Sequence, residues 1–350
     1  MTRRDVSLAR YTTFGLGGPA RFFISPKTAS GLSAAVSEAA RSGARAYLLG
    51  GGSNLLIHDA PLNGLVIANR IAGISTESSA DGVLVHAGAG VTWDDLVARS
   101  VRLNLQGIEC LSGIPGTVGA APVQNIGAYG QSVADTLHTV TAVHMRTGEL
   151  RTFTRDECAF GYRTSMFQHE PYIVTSVGLL LKPGGAPTLS YQDLAGRFSG
   201  GKPSLAQVRK AVLKIRASKG ALAMRGYPKL RSAGSFFKNP VIDAAAFARV
   251  RSVVPGEPGG RTWTWPAGGG NVKVSAARLI ESAGFGRGYR EGRAAISPFH
   301  ALVLTARRGA CAGDVVSLAS RVQERVSAMT GVLLEPEVRL WGWRTNPLLL

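Results

Sequence analysis

The sequence predicts an α+β fold. Strand-like runs such as GLVIAN, GVLVHAG and YIVTSVGLLL crowd the first half of the chain. Amphipathic helical stretches separate and follow them. No regular βαβ alternation links the two, which argues against a doubly wound parallel sheet. At 350 residues the chain is long enough for two or three domains.

Taken in order, Thr28 to Ser42 is a helix with Leu32, Ala35, Val36 and Ala39 on one face and Gly43 as its stop. AYLLG, from Ala46 to Gly50, is a buried strand that runs into a triple glycine, and GLVIAN and GVLVHAG are further strands. Thr92 to Arg102 is a helix, with Thr92 as its cap and Asp94 and Asp95 favouring its N-terminus. Thr139 to Phe153 alternates around a Thr-Gly turn and reads as a hairpin, and YIVTSVGLLL follows as a strand. After Lys182 a loop-like stretch, GGAPTLSYQDLAGRFSGGKP, separates domains. Ser204 to Arg216 is a capped amphipathic helix. Then come a strand in AGSFFKNP, helices near Asp243 to Val253 and Ser275 to Ala283, and a strand in FHALVLT. A long helix runs from about Gly313 to Met329, closed by Gly331, and LLEPEVRLWG is the final strand. Pro255 to Gly270, with its repeated Pro and Gly, is expected to be an exposed loop.

The chain is 45% hydrophobic with 44 Gly, a composition of ordinary globular proteins. No apolar run is long enough to span a bilayer, and the basic start MTRRDVSLARYTTFG has no apolar stretch behind it. Cys110, Cys158 and Cys311 lie far apart and form no CxxC, so neither a disulfide framework nor a thiolate zinc site is expected, and a reducing cytoplasm fits. The formal net charge is +18. Lys and Arg are spread along the chain with no basic block interleaved with aromatics, so nucleic-acid binding is not expected. A site for polyanionic small molecules and a generally basic proteome remain alternative explanations.

The most informative segment is GIPGTVGAAPVQNIGAYG, Gly113 to Gly130, preceded by GGGSNLLI, Gly50 to Ile57. Successive glycines after a buried strand let backbone N–H groups converge on phosphate oxygens, and Ser53 and Asn54 add side-chain hydrogen bonds. In the longer run, small residues leave room for a flat ring or a diphosphate, and Gln124 and Asn125 can meet a ring's polar edge. The chain has no GxGxxG, and GRFSGGKP departs from a P-loop at Pro203. No HExxH and no GxSxG occur, so metal and serine hydrolases are not supported. In an extended AGSFFKNP, Ser235, Phe237 and Asn239 share one face and Phe236 and Lys238 the other. In LLEPEVRL, Glu335, Glu337 and Arg339 face one way and Leu334, Val338 and Leu340 the other. Arg163 beside Tyr162 is either a surface pair or a carboxylate fork.

YTTFGLGGPARFF, LGGGSNLLI, GIPGTVGAAPVQNIGAYG, FGYRTSMF, AGSFFKNP and LLEPEVRL, in this order from Tyr11 to Leu340, resemble the UDP-N-acetylenolpyruvoylglucosamine reductase (MurB) family of peptidoglycan precursor synthesis. The resemblance implies a vanillyl-alcohol-oxidase-like, two-subdomain FAD-binding fold plus a C-terminal α+β substrate-binding domain. It implies a first FAD subdomain at residues 1–60 completed by 332–350, a second at 61–200, and a substrate domain at 201–331. It also implies non-covalent FAD, reduced by NADPH and reoxidised by the enolpyruvyl UDP-sugar, in a cytoplasmic monomer. Its cofactor-binding positions fall on Gly50, Gly51, Gly52, Ser53, Asn54, Gly113, Ile114, Pro115, Gly116, Gly119, Ala120, Asn125 and Gly127. Ser235 is implied as proton donor, Arg163 as the cation at the substrate carboxylate and Glu337 as the group that stabilises the enol. Tyr162, Tyr191, Lys219 and Asn239 fall on substrate-lining positions, with Lys229 or Arg231 as substitutes for Lys219 at the diphosphate. The Thr262–Gly270 stretch and the tail after Leu340 have no counterpart in that pattern. Two rivals remain: a flavin oxidase of the same fold, and a basic nucleic-acid-binding protein.

Overall fold

A computed structural model describes residues 2–198, 201–222, 230–256 and 262–348. These divide into two compact units. The first comprises the described residues of Met1–Val6, Ala20–Gly51 and Asn63–Pro228; the second comprises those of Ser7–Pro19, Gly52–Leu62 and Lys229–Leu350.

Two sheets build the first unit. One is four-stranded, in the order Arg3–Ser7, Pro19–Ile24, Leu62–Ala68, Ala46–Leu49. The other centres on Tyr172–Pro183, a strand of 12 residues, flanked by Leu137–His144 and Leu150–Thr154 on one side and Gly82–Gly88 and Ile74–Ser79 on the other. Residues 173–175 and 177–179 are buried without a break, a nearly continuous apolar run, because both faces of this strand are covered. The helix Ala29–Arg41 starts where Thr28 accepts a hydrogen bond from the Gly31 N–H. Its Leu32 and Val36, one turn apart, pack with Ile67 of the first sheet and Val143 and Ile173 of the second. The helix Trp93–Arg102 buries Trp93, Leu96 and Val97 under the second sheet. Thr92 takes the cap position, yet its side chain makes no capping bond. The helix Leu205–Ser218 opens with a full Ser204–Gln207 capping box and lays Val208, Val212 and Ile215 over Cys110.

In the second unit, the 19-residue helix Ala312–Thr330 is the spine. Val315, Leu318, Ala319, Val322 and Val326 form its buried stripe, against Phe236, Phe237, Leu279, Ile280 and Leu304. Gly331 ends it at φ 70°, a left-handed conformation that glycine takes without a Cβ penalty. Leu55–Ile57 and Arg339–Trp341 form a parallel pair.

Four expectations change. Pro255–Gly270 is not wholly loop: Thr264–Pro266 pairs antiparallel with Val272–Val274. Thr-Trp-Thr-Trp alternation supplies the strand character there, and Trp263 packs at a tilt against Phe247, 6.2 Å between ring centres. The strand in FHALVLT shrinks to Leu304–Ala306, because Ser297 and His300 side chains accept backbone N–H bonds from Phe299 and Leu302 and shape a turn. AGSFFKNP is held by isolated bridges, Ser235 to Val303 and Phe237 to Pro336, and both Phe236 and Phe237 are buried, so the alternation of faces fails. The final strand is only Arg339–Trp341; Leu333–Val338 precedes it as irregular chain interrupted by Pro336. The tail after Leu340 folds back: Trp343 meets His58 edge-on at 5.1 Å and Leu348 is buried in the core.

Candidate active site

In the first unit the two glycine loops meet. A Cβ on Gly51 would lie 2.7 Å from the Gly116 Cα, and one on Gly50 would lie 2.9 Å from the Thr117 hydroxyl. One on Gly119 would strike Ala89 at 2.5 Å. Glycine is therefore required for this close backbone approach. The longer run is fixed from several sides. Trp93 N–H donates to the Gly116 carbonyl at 3.1 Å, Val118 N–H to Val91 at 2.9 Å and Gly119 N–H to Ala89 at 2.9 Å. Gly113, at φ 71°, is clamped at both of its polar groups. Its N–H donates to Asp94 Oδ1 at 2.6 Å and its carbonyl accepts from Arg216 Nε at 3.1 Å. Ile114 packs on the core of the second sheet, while Ala120 is exposed.

The carboxylate at Asp94 is held by a two-pronged pair with Arg209, at 2.6 and 2.7 Å. Burial alone would push its carboxyl up. The Arg209 hydrogen bonds, the Gly113 N–H and the charges of Arg209 and Arg216 outweigh that and hold it below the ordinary carboxylate range. Burial lowers Arg216, whose Nη2 also donates to the Ala221 carbonyl and whose guanidinium hydrogen-bonds Tyr129.

At the far end of the run, Asn125 sits at φ 43° and commits its side chain to the protein. Nδ2 donates to Gly161 at 3.1 Å and Oδ1 accepts from the Ala134 N–H at 3.1 Å. Asn125 therefore shapes the run instead of offering its amide to a ring, a change from the sequence expectation. The turn it braces carries Tyr162 and Arg163. Arg163 occupies φ 55° and donates from its NH2 to Gly127 at 3.1 Å, with its guanidinium carbon 5.8 Å from the Tyr162 ring centre. Tyr191 and Lys219, remote in sequence, also come together. The Lys219 ammonium lies 5.9 Å from the ring centres of both Tyr129 and Tyr191, which themselves pack edge-to-face at 5.3 Å.

The second unit carries its own set. Glu337 N–H donates to the Phe236 carbonyl at 2.8 Å and Lys238 N–H to Glu335 at 2.9 Å, so AGSFFKNP and LEPEV run side by side. This brings Ser235 and Glu337 to adjacent segments, both half-buried. Asn54 Nδ2 donates to the Glu337 carbonyl at 3.0 Å and its own carbonyl accepts from Arg339 at 3.0 Å, which anchors the Glu337 main chain. Asn54 is thus committed to that segment. Gly52, at φ 62°, is pressed so close to the Tyr11 carbonyl that a Cβ would overlap it. Asn239 uses its side-chain oxygen to accept from the Ala276 N–H at 2.9 Å, leaving only its amino group for a ligand. Arg231 is not a substitute for Lys219: its three guanidinium nitrogens donate to the carbonyls of Phe14, Arg307 and Gly15. Lys229 lies outside the described residues.

Sequence reasoning missed Tyr129, Arg209 and Arg216. Tyr129 is a non-glycine at φ 51° within the glycine run. A tyrosine in a stretch of small residues was the available signal. Among the described residues no cluster of His, Cys, Asp and Glu could hold a metal, and no helix is long and apolar enough to cross a membrane.

A family model described as FAD binding domain matches residues 20–154, and one described as UDP-N-acetylenolpyruvoylglucosamine reductase, C-terminal domain, matches residues 227–341. Proteins named UDP-N-acetylenolpyruvoylglucosamine reductase are similar along nearly the whole chain. That of Thermobifida fusca is 43% identical over 97% of this chain and 98% of its own length. That of Saccharopolyspora erythraea is 42% identical over 95% and 93%. The crystal structure of the enzyme of that name from Thermus caldophilus superposes with a TM-score of 0.67 at 31% identity, covering 98% of this chain and all of the other.

Proposed function

Since the chain belongs to the UDP-N-acetylenolpyruvoylglucosamine reductase family, we propose that it reduces the enolpyruvyl ether of UDP-N-acetylglucosamine to the lactyl ether of UDP-N-acetylmuramate. FAD is its bound cofactor and NADPH its reductant. The observation that carries this reading is the meeting of two glycine loops inside the stretch that matches the FAD binding domain. A Cβ at Gly50, Gly51 or Gly119 would collide with Thr117, Gly116 or Ala89, so the two loops come closer than side chains would allow, and a glycine-rich backbone of this kind suits a dinucleotide diphosphate. The residues therefore fit the group. Gly50, Gly51, Gly52, Ser53, Gly113, Ile114, Pro115, Gly116, Gly119, Ala120 and Gly127 would hold it. Bound FAD supplies hydride transfer, from NADPH to the terminal carbon of the enolpyruvyl ether.

The chain's own residues manage the charge and the proton. Addition at the terminal carbon leaves negative charge on the adjacent carbon and its carboxylate. Arg163 neutralises that carboxylate as a fixed cation, its backbone set by the turn that Asn125 braces. Glu337 stabilises or polarises the enol. Ser235 then delivers its hydroxyl proton to carbon; a serine hydroxyl is acid enough toward a carbanion-like centre. Lys219, framed by Tyr129 and Tyr191, neutralises the UDP diphosphate. Tyr162 and the Asn239 amino group line the sugar. Residues 1–60 with 332–350, 61–200 and 201–331 serve as two FAD subdomains and a substrate domain. The protein acts in the cytoplasm as a monomer.

The test is an anaerobic absorbance titration of the FAD-loaded protein. NADPH should bleach the flavin, and the enolpyruvyl UDP-sugar should restore its colour. Bleaching that only oxygen reverses would replace the reading with an oxidase.

A further inference from the structure

A groove in the first unit lies outside every residue assigned to flavin or sugar. It runs, open to solvent, between the helices Trp93–Arg102 and Leu205–Ser218 and has a volume of about 730 Å³. That volume falls in the range of small-ligand sites, ~300–1,000 Å³. Arg99 and Arg102 enter it from one helix, Lys210 and Lys214 from the other, and all four are exposed. Ala98, Val101 and Leu213 give it an apolar floor.

A basic helix face is ordinarily just a solvated surface. Two features set this one apart. The charges come from two helices and converge on one concavity, where they repel one another. They are also left without carboxylates: among the described residues none of these four cations forms an ion pair. Asp95 lines the same groove four residues before Arg99, the spacing of a helical ion pair, and still does not close on it. Arg209 also lines the groove, but its fork is spent on Asp94. Four cations against the one carboxylate of Asp95 leave a strong positive excess.

We propose that this groove binds a nucleoside polyphosphate, with the base on the apolar floor and the phosphates among Arg99, Arg102, Lys210 and Lys214. The placing of four cations across one short groove between two helices favours a compact anion over a nucleic-acid strand, which needs a continuous basic track. Through Arg209 and Asp94 the groove wall also reaches the Gly113 N–H, so an occupant sits two contacts from the glycine run.

The experiment is calorimetric titration of the FAD-loaded full chain with ATP, in the presence of excess UDP to fill the sugar-nucleotide site. Saturable one-to-one binding is expected, weakened about tenfold or more in Lys210→Glu/Lys214→Glu. The variant's fold is checked by flavin content and UDP affinity, both expected at wild-type values. No saturable binding to the wild-type protein, binding that UDP abolishes, or binding unchanged in the variant would each overturn the proposal. So would an oligonucleotide that binds more tightly as it lengthens, which would make the surface a nucleic-acid track. These readouts do not depend on turnover of the enolpyruvyl sugar.

Discussion

The two units present their functional groups in opposite ways. The first works with backbone. Its glycine loops touch at Gly51 and Gly116, and the Gly113 peptide is gripped by Asp94 on one side and Arg216 on the other. In the second, the proposed groups, Ser235 and Glu337 among them, are side chains carried on short irregular segments over a core of Phe236, Phe237 and the long helix. Shape in the first unit comes from the absence of side chains, so adding one atom should be felt in cofactor retention. In the second, the backbone is held by main-chain bonds such as Glu337 N–H to Phe236, so a side chain can change without moving its neighbours.

That contrast can be broken most forcefully at Ser235. Ser235→Ala should slow product formation about 10²–10⁴-fold while flavin reduction by NADPH stays at the wild-type rate. Stopped-flow absorbance separates the two half-reactions, and a variant that reduces its flavin slowly would mean the two sets of residues do not act separately. Glu337→Gln should also fall on the second half-reaction, by roughly 10²-fold.

On the backbone side, Gly51→Ala should destabilise the protein by about 1–3 kcal/mol, because its Cβ meets main-chain atoms that cannot swing away. Thermal melting and the flavin content of the purified protein would read this together. Wild-type flavin content at full occupancy would mean the loops can part without harm.

Asp94→Asn sharpens the comparison by loosening the glycine run without touching a glycine. It should cost about 1.5–3 kcal/mol at neutral pH, since the carboxylate is largely buried and doubly bonded to Arg209. The Asp94 carboxyl is held below its ordinary value, so its contribution is fully present above the unfolded pKa of about 3.9. It is lost as pH falls through the folded value. The stability gap between wild type and Asp94→Asn should therefore close on acidification below about pH 4; a gap that widened there would reverse the assignment.

The smallest effect concerns thiols. Cys110 and Cys158, in the first unit, are buried and pushed up to about 12 by that burial. Cys311, in the second, is exposed. Iodoacetamide should modify Cys311 alone in the native protein, as mass spectrometry of peptides would show, and activity should be unchanged.

Much of this architecture is legible in the sequence. The helix starting at Thr28, the strand from Gly82 to Gly88 and the helix closed by Gly331 were readable because caps, stops and alternation act within a few residues. The glycine loops were readable as places of close backbone approach for the same reason. Ser235, Arg163 and Glu337 did not announce themselves; they were singled out by resemblance to a family, since a serine in an extended segment carries no chemical signature. Thr264–Pro266 reads as loop because Pro and Gly dominate its surroundings, whereas pairing with Val272–Val274 makes it a strand.

The sequence by itself determined where helices begin and end, which faces are apolar and where only glycine would serve, because those are properties of neighbours along the chain. Tertiary structure alone decided what those elements meet. Asp94 looked like a helix N-terminal charge until Arg209, 115 residues away, closed on it. Tyr129, Tyr191 and Lys219 became one cluster only when three distant segments packed together. Ion pairs and aromatic contacts fall off within a few ångströms, and no local pattern records which remote residue folding will bring that close.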